Sequence, residues 1–319
     1  MRLENDVTTT LPGAEAKLSY WLPTDERSCT AAYDPPAGPM RGWRSLLFAI
    51  LAVSLAALAG TQQAAADATL DKTKERGTLV AGVILSGPPY GYIDPKTQEQ
   101  QGLNLDLARE FAKRLGVKLE TVAVTPPNRV PFLQQGKVDL LLANMQWTQE
   151  RANILSYVPT PFEVTGGAAI ARKDSGIKDW ADLRGKAVCV SQGSNYTKPL
   201  IEEYGAIVKG FPGQPDSLLA LKGGNCDAAV HVGPTLRLML KLRADEWQNY
   251  DIVIPTELIP SESVVWLRKG ETDMQAALDT IMKDLHATGW MIETATKNQL
   301  PINQFLSDAR GKYKALRSQ

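Results

Sequence analysis

From Leu70 onward, short β-branched or continuously apolar runs alternate with amphipathic helical stretches, and the alternation is played through twice. Such a pattern calls for βαβ units, hence an α/β fold with mainly parallel sheets flanked by helices. Thr78-Leu79-Val80-Ala81-Gly82-Val83 reads as a first strand, closed by the turn Gly87-Pro88-Pro89. Leu105, Leu107, Ala108, Phe111, Ala112 and Leu115 share one face of a helix from Leu103 to Leu115, and Gly116 caps it. A second strand is expected over Val117 to Val124 and a short helix over Val130 to Gln135. The unbroken apolarity of Val138 to Ala143 marks a third strand, buried on both faces. The segment Asn144 to Arg151 leaves the carboxyl end of that strand, which is where open α/β sheets hold ligands.

Near Gly166 the pattern restarts with Gly167-Ala168-Ala169-Ile170-Ala171, followed by the strand that carries Cys189. A helix from Tyr196 to Tyr204, a strand around Ile207, a helix through Leu218 to Leu221 and a strand after Asp227 follow. Ile252-Val253-Ile254 and Ser263 to Leu267 lead back. Asp273 to about Leu306 reads as helical, with Ala276, Leu278, Ile281, Met282 and Leu285 on one face. A chain of 319 residues exceeds the roughly 250–300 that one hydrophobic core serves. We therefore expect two lobes, one from residues 69–164 plus 263–312 and the other from 165–262, joined by crossings near Pro161–Thr165 and Pro260–Ser263. Two crossings make a hinge about which lobes close.

The amino terminus speaks for export. The apolar run Leu46 to Leu58 is led by Arg41 and Arg44 and followed by Ala64-Ala65-Ala66, the order of a secretory signal peptide. It falls short of the roughly 20 apolar residues that span a bilayer. The expected signal peptide is 40–66, starting near Met40, with cleavage near Ala66 or Ala68. Residues 1–39 are polar and without apolar periodicity, so they read as a disordered leader or a mis-assigned start. Export implies an oxidising, periplasmic setting. Beyond the leader, which holds Cys29, the chain keeps an even pair, Cys189 and Cys226, in apolar runs that read as neighbouring strands, and a disulfide between them is expected.

With 35 Lys+Arg against 35 Asp+Glu the chain has no basic surplus, so nucleic acid is an unfavoured partner. His231 and His286 lie far apart, and with the cysteines in apolar runs there is no metal-ligand cluster. No nucleophile elbow or phosphate loop is present, no cofactor is implied, and nothing suggests an oligomer, so a monomer is expected.

Seven stretches carry a resemblance: Gly77 to Val83 with Pro88-Pro89-Tyr90; Gly102 to Ala108; Leu133-Gln134-Gln135-Gly136-Lys137-Val138-Asp139; Thr148-Gln149-Glu150-Arg151; Asp182-Leu183-Arg184-Gly185-Lys186; Gln192-Gly193-Ser194; and Cys226-Asp227-Ala228. In this order and spacing the chain resembles the polar amino-acid family of ABC solute-binding proteins. The resemblance implies the two-lobed periplasmic binding protein fold, closure on a small amino acid or related carboxylate, and presentation of the closed form to an ABC permease in the inner membrane. It maps the carboxylate clamp onto Arg151, whose planar guanidinium suits a bidentate carboxylate. Across the cleft, Ser194 and Asn195 lie at a helix start, where backbone N–H groups bind anions. Tyr90, Trp147 and Tyr196 are expected as aromatic walls, while Asn144 and Gln146 occupy positions that touch the ligand amine.

The chain departs from that pattern where the family places the acids that neutralise the ligand ammonium: those positions hold Ile84 and Val232. A buried, unpaired ammonium is costly, so His231, Glu163 or Glu262 must substitute or the ligand carries no ammonium. An enzymatic alternative also stands, because periplasmic cyclohexadienyl dehydratases resemble this family and need one cleft carboxyl as an acid, a role open to Glu163 or Glu262 with a raised pKa. A ligand sensor docking on a receptor is the third reading.

Overall fold

The structure is a computed structural model and describes residues 68–317. The expected leader, signal peptide and Cys29 lie outside the described residues. The chain runs through α1 (Ala68–Arg76), β1 (Thr78–Val83), β2 (Tyr92–Ile93), β3 (Gln100–Gln101), α2 (Leu103–Leu115), β4 (Lys118–Ala123), α3 (Arg129–Gln134), β5 (Leu140–Leu142), α4 (Gln149–Ile154) and β6 (Leu155–Tyr157). A long strand β7 (Glu163–Arg172) opens the second half. It is followed by β8 (Ala187–Ser191), α5 (Thr197–Glu202), β9 (Ile207–Phe211), α6 (Gln214–Lys222), β10 (Ala228–Val232), α7 (Gly233–Leu242), β11 (Tyr250–Ile252) and β12 (Leu258–Ser263). β13 (Trp266–Arg268) returns to the first half, and α8 (Thr272–Thr288), α9 (Trp290–Lys297) and α10 (Gln304–Arg317) close the chain.

Two sheets define two lobes. The first has the order β4-β1-β5-β13-β6, and the second has β11-β7-β10-β8-β9 with β12 also on β7. The fold is thus the expected two-lobed α/β architecture, but its sheets are mixed rather than mainly parallel. β1 pairs parallel with β4 and β5, and β8 with β9 and β10, whereas β13 and β7 run antiparallel to their neighbours. The reversed strands are those entered or left at the lobe crossings, so their direction is set by topology and not by side-chain pattern.

Sequence governs the element interiors. Leu140, Leu141 and Leu142 of β5 are fully buried between neighbours on both sides. On α2 the apolar face from Leu103 to Ala112 packs against β1 and the core helices, and Gly116 caps it at φ 73. Elsewhere the pattern misleads: Ser263 to Leu267 is split between β12 and β13, in different sheets. The terminal helical stretch is interrupted at Gly289, whose φ of 89 suits glycine, and Ala276 is exposed rather than on the buried face.

At the crossings the two chain segments pair as antiparallel strands, with Ser263 opposite Glu163, Glu262 opposite Val164 and Ser261 opposite Thr165. Trp147 N–H donates to the Glu262 carbonyl at 2.7 Å, which ties the segment after β5 to this ribbon. In the second lobe Cys189 and Cys226 form the expected disulfide, with Cα atoms 5.8 Å apart and a sequence separation of 37. A loop of this length contributes about 4 kcal/mol in the chain-entropy treatment, with about 2–4 the usual measured range. Reduction of the purified protein, or Cys226→Ser, is expected to lower the urea unfolding free energy by about 2–4 kcal/mol; an unchanged midpoint would count against a stabilising bridge.

Candidate functional site

The segment leaving β5 delivers most of the site from the first lobe. Asn144 takes φ 49, a left-handed value that asparagine tolerates, and this turns the chain sharply at the strand end. Asn104 Nδ2 donates to Asn144 Oδ1 at 2.8 Å, so the Asn144 amide is oriented with its own NH2 directed elsewhere. Two residues on, Gln146 is buried and donates from Nε2 to the Tyr196 hydroxyl of the second lobe at 2.6 Å. Tyr196 can lie there because Gly167 of β7 has no side chain: a Cβ would sit 3.0 Å from its ring.

Thr148 caps α4 by accepting from Arg151 N–H, and the short helix aims the Arg151 side chain back along the chain. Its guanidinium donates to the Gln146 carbonyl at 2.6 Å and, across the cleft, to the Gly193 carbonyl at 3.0 Å. No carboxylate among the described residues pairs with it, and Glu150 next door is fully solvated. Loss of water pulls its pKa down to about 10, so it keeps its charge at neutral pH. The Gln146–Tyr196 and Arg151–Gly193 bonds join the lobes, and the structure is that of a closed clamp.

Between the lobes lies a cavity of about 70 Å³, well under the roughly 300–1,000 Å³ of pockets for drug-sized ligands. Asn144, Gln146, Ser194, Asn195, Tyr196 and His231 all line it, so six expected site residues converge. Arg151 stands at the rim, where the Ser194–Asn195 wall continues into an outer groove. The two departures from the family pattern, Ile84 and Val232, are also on the cavity wall, and no carboxylate lines it.

Three expectations change. Tyr90 and Trp147 do not wall the cavity. Tyr90 is 3% exposed in the first-lobe core, where its hydroxyl donates to Glu163 Oε1 at 2.9 Å, and Trp147 packs edge-on against Tyr157. The anion site expected at a helix start is not formed by Ser194: its N–H donates to the Ser191 carbonyl, its hydroxyl accepts from Tyr196 N–H, and α5 is a six-residue helix that begins only at Thr197. What the second lobe offers instead is Asn195 Nδ2, a buried donor with no partner in the protein. His231 supplies no charge, since burial holds its pKa at about 3 and its Nε2 is 2.8 Å from Ser217 Oγ.

Sequence reading missed Arg129. It is 5% exposed, lines the cavity and donates to the Ala143 carbonyl at 2.7 Å and the Asn144 carbonyl at 3.3 Å. Its pKa falls to about 9, chiefly because burial removes its hydration and secondarily because Arg151 is close. The signal available in sequence was a lone arginine at the start of an otherwise apolar helix.

Neither acid proposed as a substitute reaches the cavity. Glu262 is exposed on the hinge ribbon, and Glu163 is buried behind Tyr90 with Oε2 unpartnered. Among the described residues there is no cluster able to hold a metal ion, and no helix is long and apolar enough to cross a membrane.

Residues 79–299, well over half of the chain, match the bacterial extracellular solute-binding proteins, family 3, and the chain belongs to that family. It is a solute-binding protein of the kind that serves ABC importers. The L-cystine-binding protein TcyJ of Escherichia coli is 26% identical over 250 residues, covering 77% of this chain and 91% of the relative. Among solved structures, a cysteine-binding protein from Campylobacter jejuni superposes with a TM-score of 0.67 at 26% identity, over 72% of this chain and 92% of its own. The ancestral amino acid-binding protein AncCDT-1, a precursor of cyclohexadienyl dehydratase, gives 0.64 at 26% identity, over 72% and 99%.

Burial raises the Glu163 carboxyl from an ordinary 4.5 to about 8. Between those values the folded protein keeps a proton that the unfolded chain has lost, so stability falls as pH rises through this window and levels off above about 8. Glu163→Gln keeps an oxygen for the Tyr90 hydroxyl and removes the titration. Thermal unfolding of the variant is expected to depend less on pH between 5 and 8, and to lie several degrees above the wild type at pH 8. Parallel curves would show that Glu163 is not the titrating group.

Proposed function

We propose that the protein captures a small carboxylate-bearing solute in the interlobe cleft, closes about its two-stranded hinge and presents the closed form to an ABC permease of the inner membrane. Arg151 is the clamp. The observation that carries this reading is a half-buried guanidinium without an acidic partner, held by one carbonyl from each lobe at the cleft rim. A charge taken out of water in this way costs free energy until an anion meets it. A ligand carboxylate exchanging for the Gly193 carbonyl keeps the lobes joined while satisfying the charge. Periplasmic action and a monomeric state are part of this reading; the expected signal peptide and the extracellular family support the first.

The cavity favours binding over turnover. The dehydratase reading needs an acidic carboxyl in the cleft, and although Glu163 holds its proton at neutral pH, it faces Tyr90 and does not line the cavity. Arg151→Ala is expected to preserve the fold and to weaken carboxylate binding about 10- to 100-fold or more, as loss of a charge-assisted, bidentate contact implies. Thermal shift with a panel of carboxylates and amino acids measures this, since binding stabilises only the folded form. Equal shifts for variant and wild type with the same ligand would remove Arg151 from the site.

A further inference from the structure

We propose that Arg129 is a second anion-binding residue of the cleft, and that the solute is a short dianion, two carboxylates on one small carbon frame without an ammonium group. The inference rests on the reading of Arg151 as the clamp and adds to it a second site and a charge state. Arg129 reaches the cavity from the start of α3 and is anchored by the Ala143 and Asn144 carbonyls, through Nη1 in both cases. Neither anchor is charged, and no carboxylate among the described residues offsets the guanidinium. A monoanion held by Arg151 leaves this second buried cation uncompensated and repelled by the first. Two acidic groups on one ligand compensate both.

Two further groups of the cavity suit an anion. Asn195 Nδ2 is a buried donor with no partner, and the Asn144 NH2 is left free by the bond from Asn104 to its oxygen. The carbonyls that would receive an ammonium, those of Asn144 and Gln146, already accept from Arg129 and Arg151. A cation brought beside them would face two guanidiniums. The wall positions where an acid would be needed are Ile84 and Val232, and His231 is neutral and engaged with Ser217. An α-ammonium therefore has no counter-charge on any side of the cavity.

Calorimetric titration of the full exported chain tests the proposal, with succinate, glutarate and adipate set against butyrate, pentanoate and hexanoate, and with glutamate as the amine-bearing match of glutarate. At least one dicarboxylate is expected to bind about tenfold or more tightly than its monocarboxylate, from one added charge-assisted contact, and glutarate more tightly than glutamate. Arg129→Gln is expected to erase the preference for two carboxylates, and Arg129→Lys to retain part of it, with unfolding curves confirming that each variant folds. Should Arg129→Gln not fold, the wild-type panel and Arg129→Lys still decide. Equal binding of mono- and dicarboxylates, tighter binding of glutamate, no binding of any dicarboxylate, or a preference unchanged in Arg129→Gln would each overturn the dianion. Carboxylate binding that survives Arg151→Ala intact would instead overturn the clamp beneath it.

Discussion

Two guanidinium groups, Arg129 buried and Arg151 half-buried at the rim, stand in the cleft without a carboxylate to meet them, and much of the cleft is arranged to bear that cost. Backbone carbonyls of Ala143, Asn144 and Gln146 supply partial negative charge, and Gly193 adds one from the opposite lobe. Carbonyl dipoles hold a guanidinium in place, yet they do not neutralise it. A protein that keeps one such group in a small cavity and another at its rim has an unmet demand for anionic charge. Closure then couples ligand capture to shape, because the Arg151–Gly193 contact forms only when the lobes meet.

The fold makes this arrangement possible at modest cost. All three first-lobe carbonyls lie just beyond β5, a strand buried on both faces and fixed between β1 and β13. The left-handed turn at Asn144 exposes them toward the second lobe, and Asn104, fully buried on α2, pins that turn from behind. On the far side, Gly167 leaves room for Tyr196 to reach Gln146. The two crossings pair as a ribbon, Glu163–Thr165 against Ser261–Ser263, that runs on into the second sheet through β7.

How much of this is legible in the sequence depends on how local its cause is. β1 and α2 are visible because periodicity and a capping glycine specify them within one segment. The division of Ser263 to Leu267 between two sheets is invisible, since each half satisfies a strand pattern and only the return to the first lobe separates them. Arg151 could be placed through its strand-end context. Tyr90 and Trp147 sit in the right neighbourhood but turn into the core, because side-chain direction at a loop is decided by packing against Glu163 and Tyr157. Arg129 escaped because its environment is assembled from β5 and the second lobe, and nothing beside it in sequence marks a buried charge. The absence of acids at Ile84 and Val232 was legible, and the structure gives it meaning by setting both residues on the cavity wall.

Family membership makes the protein a solute-binding protein, and the residues of its own cleft carry the proposal for its solute. Relatives that share the frame are named for amino acids such as cystine and cysteine, while this cavity is lined by Arg129 and by amide side chains, without a carboxylate. The most direct measurement is arginine-selective NMR of the guanidinium Nε–H signals, assigned by single Arg→Lys replacements and followed as a short dicarboxylate is titrated. The account predicts that the Arg129 and Arg151 signals move together and saturate at one equivalent, while the matched diamine leaves both in place. Signals that stay fixed with the dicarboxylate, or that respond to the diamine, would contradict it.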